Sequence, residues 1–269
     1  MEYLFAILLG IIQGLTEFLP VSSSGHIELG KAILGVQLEE DLLFSVVLHV
    51  ATALSTIIVF RKQIGELLRD IFKFEWNEAT QFALKIVISM IPVGIVGVFF
   101  KKNVEVLFDG KVFLVGCMLL ITSGLLFLTV VFSRRIRSVR QSGEVDYWRA
   151  FWIGVAQAIA VTPGISRSGA TIATALLLGV DKEKAAPFSF LMVLPPIFGA
   201  CLLEIKDFLE TTQPMTMSIG AMVAGFLAAF LVGWAACRWM IDIVKRGKLE
   251  YFALYCFVIG SIAIVFSYS

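Results

Sequence analysis

Charge is scarce in this sequence: Asp, Glu, Lys and Arg make up 16% of the 269 residues, whereas 58% are hydrophobic, and the mean hydropathy is +0.89. Soluble domains carry about 25% charged residues, so that class is excluded and the chain reads as an integral membrane protein. With 22 basic and 21 acidic residues the net charge is +1, and nothing in it points to nucleic acid. Cysteine is sparse too. Cys117, Cys201, Cys237 and Cys256 each lie in an apolar stretch with no C-x-x-C or Cys/His spacing, which argues against a disulfide framework or a zinc site. The N-terminus, Met-Glu-Tyr, lacks the basic n-region of a secretory signal, so no cleaved leader is expected.

What is present is apolar length. A spanning helix needs about 20 mainly apolar residues, and six stretches supply it, roughly 42–60, 80–100, 112–132, 186–206, 216–240 and 250–268. Two further apolar regions, 3–35 and 148–180, are broken near their middles. The first break holds Pro20 and Ser22-Ser23-Ser24-Gly25; the second holds Pro163-Gly164 and Ser166-Arg167-Ser168-Gly169. Each half is short for a crossing, so each region is expected to form a re-entrant helical hairpin. Pro92, Pro195 and Pro196 fall inside expected spans and should kink them.

A shift of 144 residues lays Gly10, Gln13, Ser22, Ser24 and Gly25 on Gly154, Gln157, Ser166, Ser168 and Gly169, and Phe44-Ser45 on Phe188-Ser189. This register implies duplication within a single membrane domain, 1–269, with repeats of roughly 1–143 and 144–269. Each repeat has one hairpin and three spans, an odd number, so the second copy is inverted. The expected fold is therefore all-α and integral to the membrane, with about six transmembrane helices and two re-entrant hairpins in an inverted-topology repeat. Loop charge agrees with it. Arg61, Lys62, Arg69 and Lys73, then Arg134, Arg135, Arg137, Arg140 and Arg149, then Lys182 and Lys184, then Lys245, Arg246 and Lys248 all fall on one face. The positive-inside rule makes that face cytoplasmic and turns both termini outward. The stretch 61–78 mixes these cations with Leu67, Leu68, Ile71, Phe72, Phe74 and Trp76, as a helix on the cytoplasmic lipid surface would.

The chemistry is concentrated at the two breaks. A helix that starts at mid-depth presents unpaired N–H groups and a positive dipole end, both of which favour an anion. Ser22, Ser23 or Ser24 can cap one such helix and Ser166 or Ser168 the other, with Thr171 one turn on; two facing starts would cradle a phosphate-rich group. Gly25 and Gly169 would let ligand oxygens approach the backbone. Arg167 adds a planar, five-donor cation suited to phosphate. Gln13 and Glu17, spaced i, i+4, share a helical face, where they could hold a hard divalent cation such as Mg²⁺ or Ca²⁺. Glu17 could instead activate a water or a nucleophile. His26 could carry a proton to a leaving oxygen or attack in its own right.

Taken singly, these residues also have structural readings. Serines in membrane helices bond the preceding turn, glutamines join helices, and Glu17 with Arg167 could form a buried ion pair and nothing more. Glu, His, Arg and two helix starts together are harder to explain that way. His49 reads as a polar cavity wall or a carbonyl contact, and Lys85 and Glu204 as snorkelling or cavity-facing groups.

Two motifs carry a resemblance over essentially the whole chain. Gln13-Gly-Leu-Thr-Glu17, running on into Leu-Pro-Val-Ser-Ser-Ser-Gly-His26, and Pro163-Gly-Ile-Ser-Arg-Ser-Gly-Ala-Thr171 are similar to the signatures of the bacterial undecaprenyl-diphosphate phosphatases, the BacA-type family. Gln13 stands where many members have Glu, leaving fewer charges for a metal. The resemblance implies hydrolysis of a polyprenyl diphosphate in the bacterial cell membrane, recycling the lipid carrier of peptidoglycan synthesis. It also implies divalent-metal dependence, a site opening to the outer face, and Ser23 as nucleophile, with His26 or a Glu17-activated water as alternatives. The competing function is a secondary transporter or flippase for a phosphorylated lipid, because inverted repeats with broken helices are also a transporter plan. Whether two copies pair as a homodimer is left open.

Overall fold

The computed structural model describes residues 2–34, 42–100, 103, 106–108, 111–139, 143–211 and 217–268. The described residues form twelve α-helices: α1 (Glu2–Phe18), α2 (Ser23–Leu34), α3 (Leu42–Val59), α4 (Arg61–Ile71), α5 (Glu78–Phe99), α6 (Val112–Val139), α7 (Tyr147–Ile159), α8 (Arg167–Leu177), α9 (Lys182–Met192), α10 (Leu194–Thr211), α11 (Ile219–Arg246) and α12 (Glu250–Phe266). Four spans are long and apolar enough to cross a membrane: 78–99, 112–132, 182–206 and 219–246. A fifth arises if α3 and α4, bent by 78° to each other, count together; α12 is apolar but shorter. The protein is an all-helical, multi-pass integral membrane protein, with four of the six expected spans matched by these helices and 42–60 by part of the bent pair.

Glycine and alanine bring the helices together, as expected where lipid offers no hydrophobic driving force. Along α1, Gly10 faces the Gly225 carbonyl of α11, and a Cβ on Gly14 would stand 2.6 Å from the Ala229 carbonyl. Gly154 of α7 lies against the Ser89 backbone of α5 in the same way. Gly116 of α6 and Gly260 of α12 approach mutually, each hypothetical Cβ lying 2.9 Å from the other's carbonyl oxygen. Hydroxyls then link the packed backbones: Ser55 donates to the Phe230 carbonyl at 2.7 Å and Ser123 to that of Ala253 at 2.6 Å.

The prolines act differently from one another. Pro92 lies inside an uninterrupted α5. Pro195 and Pro196 open α10 just after the Val193 cap of α9, where a missing N–H costs least. They thus stand at the Val193 interruption of the 182–206 span, the break expected of them. The 78° elbow at Phe60 turns α4 aside from α3, and Leu68, Phe72, Phe74 and Trp76 are all exposed; the helix ends at Ile71, short of the expected 61–78. Contacts between helix ends tie the bundle together. Glu2 accepts from the Ser218 N–H, Phe113 stacks edge-on with Tyr268, and Lys184 donates to Glu144 at 2.8 Å.

Candidate active site

Both broken regions form helix–break–helix pairs. Residues 19–22 separate α1 from α2, and residues 160–166 separate α7 from α8. Serine caps each second helix, since the Gly25 N–H donates to Ser22 Oγ at 3.2 Å and the Gly169 N–H to Ser166 Oγ at 3.1 Å. In each tip the capping hydroxyl also meets the next serine but one, Ser22 with Ser24 at 3.4 Å and Ser166 with Ser168 at 3.3 Å. The backbones differ. Ser166 has an ordinary N-cap φ of −71°, whereas Ser22 lies at φ +70°, in the left-handed region that β-carbons disfavour.

The tips touch. Ser168 Oγ donates to the Leu19 carbonyl at 3.1 Å. A Cβ on Gly25 would meet Gly164 Cα, and one on Gly169 would meet Pro20 Cβ, both at 3.1 Å. Gly25 thus admits the opposite tip's backbone, and Gly169 the Pro20 ring. Thr122 of α6 steadies the second tip, donating to the Gly164 carbonyl and accepting from the Ser166 N–H, each at 3.2 Å.

At this junction Glu17 gathers three of the residues singled out by sequence. Arg167 Nη2 donates to Glu17 Oε1 at 2.8 Å. Ser23 Oγ and Gln13 Nε2 both donate to Glu17 Oε2, each at 3.1 Å. The ion pair weighed as a structural alternative is therefore real, and it also carries a hydroxyl. An acceptor with one oxygen on a guanidinium and the other on a serine can take that serine's proton while the cation stays fixed nearby. On the Arg167 side lies a cavity walled by Thr52, Thr56, Ser168, Thr171, Ser189 and Phe190. Among the described residues Ser189 Oγ is buried without a partner, as are Gln13 Oε1 and both amide atoms of Gln157. Thr171 hydrogen-bonds back to the Arg167 carbonyl at 3.0 Å.

His26 does not contact Glu17 by hydrogen bond among the described residues. Its Nδ1 lies 2.8 Å from the Ser22 carbonyl and its Nε2 2.8 Å from the Tyr255 hydroxyl. Tyr255 was not foreseen from sequence: it lies 229 residues from His26, in an apolar helix, with no motif around it. Cys256, expected to be inert packing, contacts the Pro20 carbonyl at 3.5 Å. His49 makes the carbonyl contact, to Ser45 at 2.9 Å, and Lys85 lies over the Tyr147 ring.

No cluster of three or more His, Cys, Asp or Glu able to hold a metal occurs among the described residues.

Known proteins resemble this chain over its full length. The family model described as bacitracin resistance protein BacA matches residues 6–262. A protein of Christiangramia forsetii named undecaprenyl-diphosphatase is 56% identical over 272 residues, covering 100% of both chains. One of the same name from Bacteroides fragilis is 51% identical, covering 99% of each. Another from Methanobrevibacter smithii is 38% identical, over 97% of this chain and 96% of that one. With both serine-capped tips inside the matched span, the chain belongs to the BacA family.

Proposed function

We propose that the protein hydrolyses undecaprenyl diphosphate to the monophosphate and inorganic phosphate, returning the lipid carrier of peptidoglycan synthesis to use. The observation that carries this reading is the Glu17 carboxylate, joined through one oxygen to Arg167 and through the other to Ser23. Phosphoryl transfer asks chiefly for positioning and charge neutralisation, and this arrangement supplies a nucleophile, a proton acceptor and a cation in one contact set.

In the proposed reaction Ser23 Oγ attacks the terminal phosphorus as its proton passes to Glu17. The bond to the bridging oxygen breaks and undecaprenyl monophosphate leaves as its anion, with His26 as the proton carrier for the water step that follows. Water then cleaves the phosphoserine, and Arg167 holds the transferred phosphoryl oxygens throughout. Ser22, Ser24, Ser166, Ser168, Gly25, Gly169 and Thr171 shape the cradle around the diphosphate, and Gln13 supports Glu17.

A divalent cation, Mg²⁺ or Ca²⁺, fits beside Gln13 and Glu17. Gln13 is 1% exposed and its Oε1 has no partner among the described residues. Exchanging the amide's nitrogen and oxygen would set two oxygens face to face, an arrangement a hard cation resolves. Two protein oxygens completed by phosphate and water are typical of Mg²⁺. Such an ion supplies charge neutralisation at the diphosphate.

The two broken pairs are read as re-entrant hairpins of an inverted repeat within six spans. The support is reciprocal packing, α1 on α11 and α7 on α5. The basic face is cytoplasmic and the termini outward on loop charge, which places the site's mouth at the outer face of a bacterial cell membrane.

The test is phosphate release from undecaprenyl diphosphate by the purified protein in detergent, with and without chelator. Release by wild type, lost in Arg167→Ala, is expected. Absence of release from wild type overturns the reading.

A further inference from the structure

We propose that Tyr255 is a positioning residue for His26, fixing its tautomer and ring orientation from the last helix of the chain. A carbonyl oxygen can only accept, so the 2.8 Å contact between His26 Nδ1 and the Ser22 carbonyl requires a proton on Nδ1. In the neutral ring Nε2 then carries the lone pair, and the Tyr255 hydroxyl, 2.8 Å away, donates to it. The two rings also stack, with centroids 5.6 Å apart and planes 10° from parallel. Each ring nitrogen thus has one fixed partner, and the ring has one face held.

A second observation comes from the backbone at the other end of this chain of contacts. Ser22 sits at φ +70°, a conformation that costs an L-residue about 1–2 kcal/mol. In that conformation its carbonyl accepts both the His26 N–H, at 3.2 Å, and the ring Nδ1–H. The matching carbonyl of Ser166 receives the Ala170 N–H alone among the described residues, at 2.8 Å and from an unstrained residue. The strained backbone therefore occurs at the tip that has an imidazole to orient.

The consequence for the reaction is selective. With Nδ1–H committed to a carbonyl, proton exchange is confined to Nε2, and the Tyr255 hydroxyl occupies that nitrogen until substrate arrives. His26 is held as a proton carrier, and its one free lone pair is covered against use as a nucleophile. This rests on the phosphatase reading above.

The chain has only two histidines, so ¹⁵N-histidine labelling gives one signal set for His26 and an internal control from His49. Wild type is expected to show His26 protonated on Nδ1. Tyr255→Phe keeps the ring and removes the hydroxyl. It should shift the His26 nitrogens and leave those of His49 in place, and kcat should fall about 10- to 100-fold, the usual effect of losing a residue that orients a functional histidine, with KM changed less than twofold. A wild-type His26 protonated on Nε2 overturns the proposal whatever the variant does. So does unchanged kcat in Tyr255→Phe, or a fall in kcat with the His26 signals unmoved. If wild type releases no phosphate, the phosphatase reading fails, while the nitrogen signals still report on the Tyr255–His26 bond.

Discussion

Arg167 Nη2 reaches Glu17 Oε1 at 2.8 Å across 150 residues of sequence, and the carboxylate side chain is only 8% exposed against 31% for its partner. The unequal burial means that removing Arg167 strands a charge, whereas removing Glu17 leaves a partly solvated one. Arg167→Ala should therefore lower stability by about 3–5 kcal/mol and phosphate release by about 10²- to 10³-fold. Adding Glu17→Gln to Arg167→Met should restore most of the stability and none of the activity. Thermal unfolding in detergent reads the first effect and the release assay the second; a fully stable Arg167→Ala would show that the pair is not desolvated.

The same substitution should act differently at the two capping serines. Gly replaces a capping Ser at a cost of a few tenths of a kcal/mol. At Ser22 the change also relieves a positive φ, so Ser22→Gly should be neutral or up to about 1 kcal/mol more stable. At Ser166, φ −71°, glycine brings only its extra unfolded-state freedom, and Ser166→Gly should be about 0.5–1 kcal/mol less stable. Paired melting curves decide it, and equal losses at both sites would refute the strain argument.

Two helical glycines offer a contrast in packing. Nothing lies within 4 Å of a Cβ on Gly124, whereas one on Gly154 would enter the Ser89 backbone. Gly124→Ala should stabilise by about 1 kcal/mol. Gly154→Ala should destabilise by about 1–3 kcal/mol by pushing α7 off α5. Unfolding midpoints compare them directly.

Metal dependence follows from the proposed Gln13–Glu17 oxygens. Chelator should abolish phosphate release, and added Mg²⁺ should restore it. Gln13→Glu adds a carboxylate and should lower the Mg²⁺ concentration giving half-maximal rate; Gln13→Ala should raise it. Titration of rate against free Mg²⁺ measures both, and a half-maximal concentration unmoved by either change removes Gln13 from the proposed site.

How far the sequence reaches can be judged residue by residue. Helix position was legible because apolar length is a local property, and the capping by Ser22 and Ser166 because an N-cap acts over three residues. The meeting of Glu17 with Arg167 followed from the shared register of the two breaks. Tyr255 was not legible, since an isolated tyrosine in an apolar helix matches a lipid-facing residue until its hydroxyl is seen on His26. Pro92, in an uninterrupted helix, was harder to judge than Pro195 and Pro196, which stand at the break in the 182–206 span. A proline within a long apolar run is compatible with a kink or with a fresh helix start, and the difference lies in the neighbouring turn.

The first tip is completed from the other half of the chain. The Leu19 carbonyl takes the Val21 N–H from its own turn and a second hydrogen bond from Ser168, and the Pro20 carbonyl is met by Cys256. A nascent chain released from the membrane-insertion machinery after residue 143 would hold that break in lipid without the bonds from Ser168 and Cys256. The site that begins at Gln13 is thus among the last parts of the molecule to be completed.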